Sequence, residues 1–197
     1  MSIPIETRKR WWLLCYGFTS MNEALRGCDM LFSVCDTNKH PAYLPITYYI
    51  HTQYGRPFHH NHGVGTIERE IIPEETMHHH RWLMEFRDAV FSHSDSEPAK
   101  ESGKILNRLV FTVKEDDFIF YTSDPRPALS SYLEARSHIE IIRSELAKRV
   151  FVMNEQYEEL IPKELGDYLL SLDHIDQPFL PYARPESATL IYKRAMK

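Results

Sequence analysis

An arginine and a histidine stand six residues apart, each with an acid close behind, in Arg87-Asp88-Ala89-Val90-Phe91-Ser92-His93-Ser94-Asp95. Arginine carries a permanent, planar charge whose fork of N–H donors matches phosphate oxygens. Histidine is the side chain best suited to move a proton near neutral pH. Together they suit metal-independent cleavage of a phosphodiester. Geometry sets a condition on that chemistry. On one continuous helix six residues turn through about 600°, leaving the two side chains roughly 120° apart and on the order of 9 Å apart along the axis. Either the helix ends before His93, or two copies of the chain meet so that each site draws on both.

Spacing alone is weak, since about two Arg-to-His pairs separated by four to six residues follow from composition, and the chain holds another in Arg56 and His62. The context of Arg87 and His93 is more specific: an acid directly after the arginine, an apolar Val-Phe pair, then His-Ser-Asp closing a helical pattern. That context resembles the HEPN superfamily, whose signature is Arg, a polar residue, several more residues and then His. Upstream, Tyr54-Gly55-Arg56-Pro57-Phe58, Asn61-His62-Gly63-Val64-Gly65, Pro73, and His79 or His80 before Leu83-Met84 resemble a bacterial, abortive-infection-type branch of it. The similarity covers roughly residues 20 to 95. Ala89 stands where related motifs often carry Lys or another polar residue.

The resemblance implies a metal-independent endoribonuclease of a phage-defence or toxin–antitoxin system, with a composite Arg/His site at a homodimer interface. His93 takes a proton from the RNA 2′-hydroxyl or gives one to the leaving oxygen. Arg87 stabilises charge building on the phosphate, Asp88 holds the arginine, and Asp95 holds the imidazole. The alternative is a non-catalytic HEPN module that binds a nucleotide, an RNA or a partner protein. The implied partners are RNA, a second copy of the chain and an antitoxin-like protein, with no cofactor, no metal and no membrane.

Composition bounds the reading. The chain of 197 residues is 43% apolar and 26% charged, as in an ordinary globular protein. Its net charge of −5 argues against a broad basic surface for nucleic acid and leaves room for a local one. Cys15, Cys28 and Cys35 show neither a disulfide framework nor CxxC spacing, so a reducing cytoplasm is expected. Arg8-Lys9-Arg10 followed by Trp11 to Phe18 mimics a signal peptide, but the apolar part is short and no clean cleavage site follows. An amphipathic first segment packed on the rest of the protein is the simpler reading.

The elements that must position these groups read as mainly α: an up-and-down helical bundle with a β-hairpin inserted before the last long helix. The expected organisation is a lead segment at 1–19, a HEPN-like bundle at 20–162, and a short helix and tail at 163–197. Ser20-Met21-Asn22-Glu23 reads as a capping box opening a helix with Met21, Leu25, Cys28, Leu31, Phe32 and Cys35 on one stripe. A second helix runs from near Pro41 or Pro45 to about Tyr54, and glycines and prolines make 55–66 a loop. A third starts at Pro73-Glu74-Glu75 with His79, Leu83, Phe86 and Val90 inward. Leu106 to Val113 and Phe118 to Tyr121 flank a charged turn, as a hairpin does. The last long helix opens near Pro125 and keeps Tyr132, Ile139, Leu146, Met153 and Leu160 at seven-residue intervals, a seam suited to a bundle or a helix-mediated dimer. Pro162 stops it, and a short helix is expected around Leu165 to Leu172.

Eight of the eleven histidines lie between His51 and His93. His59, His60 and His62 share a loop, whereas consecutive His78, His79 and His80 point about 100° apart on a helix and cannot chelate one ion together. No HExxH pair is present, which leaves metal binding a minor reading. Arg56, between Gly55 and Pro57, suits either a phosphate contact or a structural pair with an acid. Trp11, Trp12 and the tyrosines near Tyr43, Tyr48 and Tyr49 could stack on bases, though aromatics at this density more often build a core.

Overall fold

Pro4 holds an extended backbone (φ −55°, ψ 145°), and the first helix starts at the next residue. In the computed structural model, which describes residues 2–88, 109–113, 115, 118–122 and 126–183, helix α1 runs unbroken over Ile5–Val34. The helix start expected at Ser20 is therefore corrected: Ser20 is a buried mid-helix residue. The apolar stripe does not begin there. Trp11 and Leu14 continue it upstream in phase with Met21, Leu25, Cys28 and Leu31, all of them buried. The segment that mimicked a signal peptide is thus core.

Helix α2 (Tyr43–Gly55) follows a short connector and passes directly into a 3₁₀ turn at Arg56–Phe58. The loop behind it closes on itself. Gly63 and Gly65 take positive φ of 83° and 90°, which glycine allows without strain, and Asn61 and Gly65 exchange backbone hydrogen bonds. The Ile67 amide then bonds the Pro57 carbonyl at 2.9 Å. Pro73 leads through a 3₁₀ turn at Glu74–Thr76 into α3 (Met77–Phe86). Its buried residues are His80 and Leu83, so the inward histidine is the one after the His79 expected from periodicity. Val90 lies outside the described residues.

The expected hairpin is β1 (Leu109–Val113) against β2 (Phe118–Thr122), antiparallel with Phe111 opposite Phe120. Helix α4 (Ser131–Gln156) comes next and ends ahead of Pro162. Tyr132, Ile139 and Leu146 of its seam are buried with Ala135, His138 and Ile142. The core is one cluster shared by α1, α2, α3 and α4. The first three positions of the seam are consumed inside the chain, and Met153 packs against the same core.

Beyond α4 the helix expected around Leu165 to Leu172 is instead strand β3 (Tyr168–Leu170), paired antiparallel with β4 (Phe179–Pro181). The segment bonds across a hairpin: the Ser171 amide meets the Pro178 carbonyl and the Tyr182 amide the Asp167 carbonyl, both at 2.8 Å. Arg8 anchors the turn between the strands. Its fully buried guanidinium donates to the carbonyls of Ser171 (2.8 Å), His174 (2.7 Å) and Ile175 (3.0 Å), and its Nε to that of Ile3 (2.9 Å). Trp11 completes the attachment, with ring centroids 6.0 Å from Tyr157 and 5.8 Å from Phe179. Among the described residues no helix is long and apolar enough to cross a membrane.

Candidate functional site

Arg87 follows the last residue of α3, and its backbone N–H bonds the Leu83 and Met84 carbonyls. Its side chain lies flat across the end of α2, where Gly55 makes room. A Cβ on Gly55 would meet Arg87 Cδ at 2.4 Å and Nε at 3.0 Å. Gly55 has ordinary helical angles (φ −72°, ψ −25°), so glycine serves close approach here and not an unusual backbone.

The guanidinium meets two partners. Nη1 donates to Asp88 Oδ1 at 2.7 Å and also contacts His59 Nε2. His59 Nε2 lies 3.3 Å from the same carboxylate oxygen. Arg87 Nε is buried with no hydrogen-bond partner. The Arg87 side chain is 19% exposed, and those of His59 and Asp88 37% and 43%. The group is thus a half-exposed surface cluster with the arginine as its most covered member.

Two structures hold His59 in place. Asn61 Nδ2 donates to the His59 carbonyl at 2.9 Å. Phe58, just before it, packs on Tyr54 and His80 with ring centroids 5.2 and 4.8 Å away.

Below this turn lies a buried chain of polar rings. Tyr54 Oη is 2.7 Å from His80 Nδ1 and 2.8 Å from His138 Nε2. The hydroxyl has one proton, so it donates to one imidazole and accepts from the other. His138 Nδ1 is buried without a partner. A bare lone pair there costs less than an orphaned N–H, which favours His138 Nε2–H donating to Tyr54 and Tyr54 donating to His80. Burial lowers His80 to about 4 and His138 to about 3, the latter helped by neighbouring imidazoles. Burial also pushes the Tyr54 phenol well up. His51 is tied separately: Nδ1–H donates to the Leu83 carbonyl and Nε2 accepts from Tyr132 Oη, both at 2.9 Å. Desolvation lowers it to about 4.

The residues singled out in the sequence divide accordingly. Arg87 and Asp88 are together, while His93 and Asp95 lie outside the described residues. Arg56 faces elsewhere: Nη1 donates to Gln53 Oε1 at 3.2 Å and its guanidinium carbon sits 5.1 Å from the Tyr16 ring centre. Of the two roles its position suits, a phosphate contact or a pair with an acid, the second is not formed among the described residues: it pairs with an aromatic face. Of the histidines, His60 packs on His62 and His78 on His79. Among the described residues no three His, Cys, Asp or Glu side chains gather as a metal site. Sequence reasoning missed His59 as the partner of Arg87, and the signal that could have found it is Gly55, a small residue at a helix end.

Comparison with protein-family models, with curated proteins and with solved structures gives no match. The arrangement therefore speaks through its own chemistry: a permanent cation for an anionic oxygen, an imidazole beside it, and a carboxylate that holds the cation.

Proposed function

We propose that the chain is a metal-independent endoribonuclease of HEPN type, working in phage defence or as the toxin of a toxin–antitoxin pair. The observation that supports it best is Arg87 held across Gly55 with His59 and Asp88 on Nη1 and its buried Nε unpaired. A phosphate oxygen is the natural partner for that guanidinium face. In this reading the scissile phosphate sits on Arg87, which stabilises the charge that grows as the 2′-oxygen attacks phosphorus. His93 remains the residue proposed for proton transfer, and Asp95 its support. His59 orients the guanidinium and stands within reach as the second imidazole that a paired acid and base require. The O5′–P bond breaks, leaving a 2′,3′-cyclic phosphate and a 5′-hydroxyl.

A homodimer with a composite site belongs to the same proposal. Because the α4 seam is buried, the dimer would use another surface, and the outer residues of α4, Leu133, Ile141, Phe151 and Val152, are 41–58% exposed. The second reading, a module that binds RNA or a partner without cutting, draws on the arginine being already engaged by Asp88 and His59. The test is the product. Cyclic-phosphate ends formed in EDTA support cleavage; binding with intact RNA supports the second reading.

A further inference from the structure

A second feature lies on the other side of the Gly55–Arg56 turn. Trp12 and Tyr16, one turn apart on α1, stack with ring centres 4.9 Å apart and planes 13° from parallel. Arg56 places its guanidinium over the Tyr16 ring at 5.1 Å. Trp12 and Tyr16 are half-buried and Arg56 is exposed. Lys9, a turn earlier on the same helix face, keeps part of its ammonium in solvent beside Glu6. The result is a column of two flat rings and one flat cation at the protein surface. Among the described residues, Arg56 makes a neutral side-chain bond, to Gln53.

We infer that the Trp12–Tyr16–Arg56 column is a base-stacking subsite for single-stranded RNA, adjoining the Arg87 phosphate position. It rests on the ribonuclease reading only for the choice of polymer. Three observations carry it. Trp12 and Tyr16 cover each other's inner faces and back the exposed guanidinium of Arg56, whose outer side is the kind of surface on which an unpaired base stacks. The column carries positive charge at Arg56, where the strand is negative, in a chain whose net charge is −5. Arg56 also directly follows Gly55, on which Arg87 lies, so consecutive Cα positions about 3.8 Å apart connect the two features.

The test uses the full chain and a short 2′-O-methyl oligouridine, which lacks the hydroxyl needed for cleavage, beside an abasic strand of equal length. Anisotropy reads binding, and quenching of tryptophan fluorescence reads stacking. The expected result is quenching by the oligouridine and roughly 5- to 150-fold weaker binding of the abasic strand, the range for one stacked base. Arg56→Ala and Trp12→Ala lose that base-dependent increment, Trp12→Phe keeps most of it, and Arg87→Ala leaves it in place. Should Trp12→Ala not fold, Arg56→Gln at the exposed end gives the same comparison. Equal binding of the two strands, no binding of either, or an increment untouched by Arg56→Ala overturns the inference. A protein that stacks bases through this column yet leaves ordinary RNA intact keeps the subsite and loses the nuclease reading. One that cuts RNA but binds both strands equally does the reverse.

Discussion

Gly55 offers a test of the site that touches no reacting group. A methyl there would meet Arg87 Cδ at 2.4 Å, so Gly55→Ala must push the guanidinium off His59 and Asp88. We expect at least a tenfold loss of RNA cleavage with the melting temperature changed by only a few degrees, read by activity assay and circular dichroism. Arg87→Ala and His93→Ala should each abolish cleavage, and the double variant should be hardly worse, because groups acting as a unit are non-additive. Arg87→Lys should not rescue, since an ammonium cannot reproduce the fork. Arg56→Ala, at the same spacing from His62, should weaken cleavage without abolishing it. If folded His93→Ala still cuts while Arg56→Ala or His62→Ala does not, the wrong pair has been chosen. At this scale the sequence makes Arg87 and Asp88 legible because they are adjacent and sit in a recognisable motif. His59 is not legible. It lies 28 residues away, and only closure of the α2–α3 loop brings it to the arginine.

Among the elements, the buried ring chain under the turn carries the clearest pH dependence. His51, His80 and His138 are buried and neutral in the folded chain, at about 4, 4 and 3, and near 6.5 once unfolded. The unfolded chain therefore binds more protons in that interval. The stability these groups contribute is complete above about pH 6.5 and is lost as pH falls through 6.5 towards 4 and 3. A shift of this size is worth about 3 kcal/mol per group, so thermal melts should drop steeply between pH 6.5 and 4, and His138→Phe should flatten the slope. Tyr54→Phe leaves two buried imidazole nitrogens without their shared hydroxyl and should cost about 1–3 kcal/mol. Arg8 is the counterpart at the far end of α1. Arg8→Met removes the donor of four hydrogen bonds to carbonyls, two of them buried, and should cost about 1–3 kcal/mol for each buried carbonyl left unpaired, with limited proteolysis opening the β3–β4 segment first. Periodicity revealed α2, α3, the hairpin and α4 because each has its own apolar pattern and punctuation. It misplaced the start of α1 because a serine followed by Asn-Glu looks like a cap even in mid-helix. It misread residues 165–172 because their backbone partners lie in the later segment 178–182, and the turn between is anchored by Arg8, 163 residues from Ser171.

For the whole molecule, the seven-residue seam of α4 is spent on packing against α1, so the composite-site proposal needs a different contact. It predicts a species near twice 23.3 kDa by light scattering at micromolar concentration. It also predicts that a charge at exposed Ile141 or Leu133, 41% and 57% accessible, lowers both that mass and the activity. A clean monomer removes the composite site and leaves the Arg87 group to act within one chain. The central claim, that this arginine group cuts RNA without a metal, is tested most directly by one measurement. Purified protein and its Arg87→Ala variant are incubated with single-stranded RNA in excess EDTA, and the new ends are identified by mass spectrometry. The account predicts 2′,3′-cyclic phosphate ends from the parent protein and intact RNA with the variant. Intact RNA in both, or cutting that persists without Arg87, contradicts it.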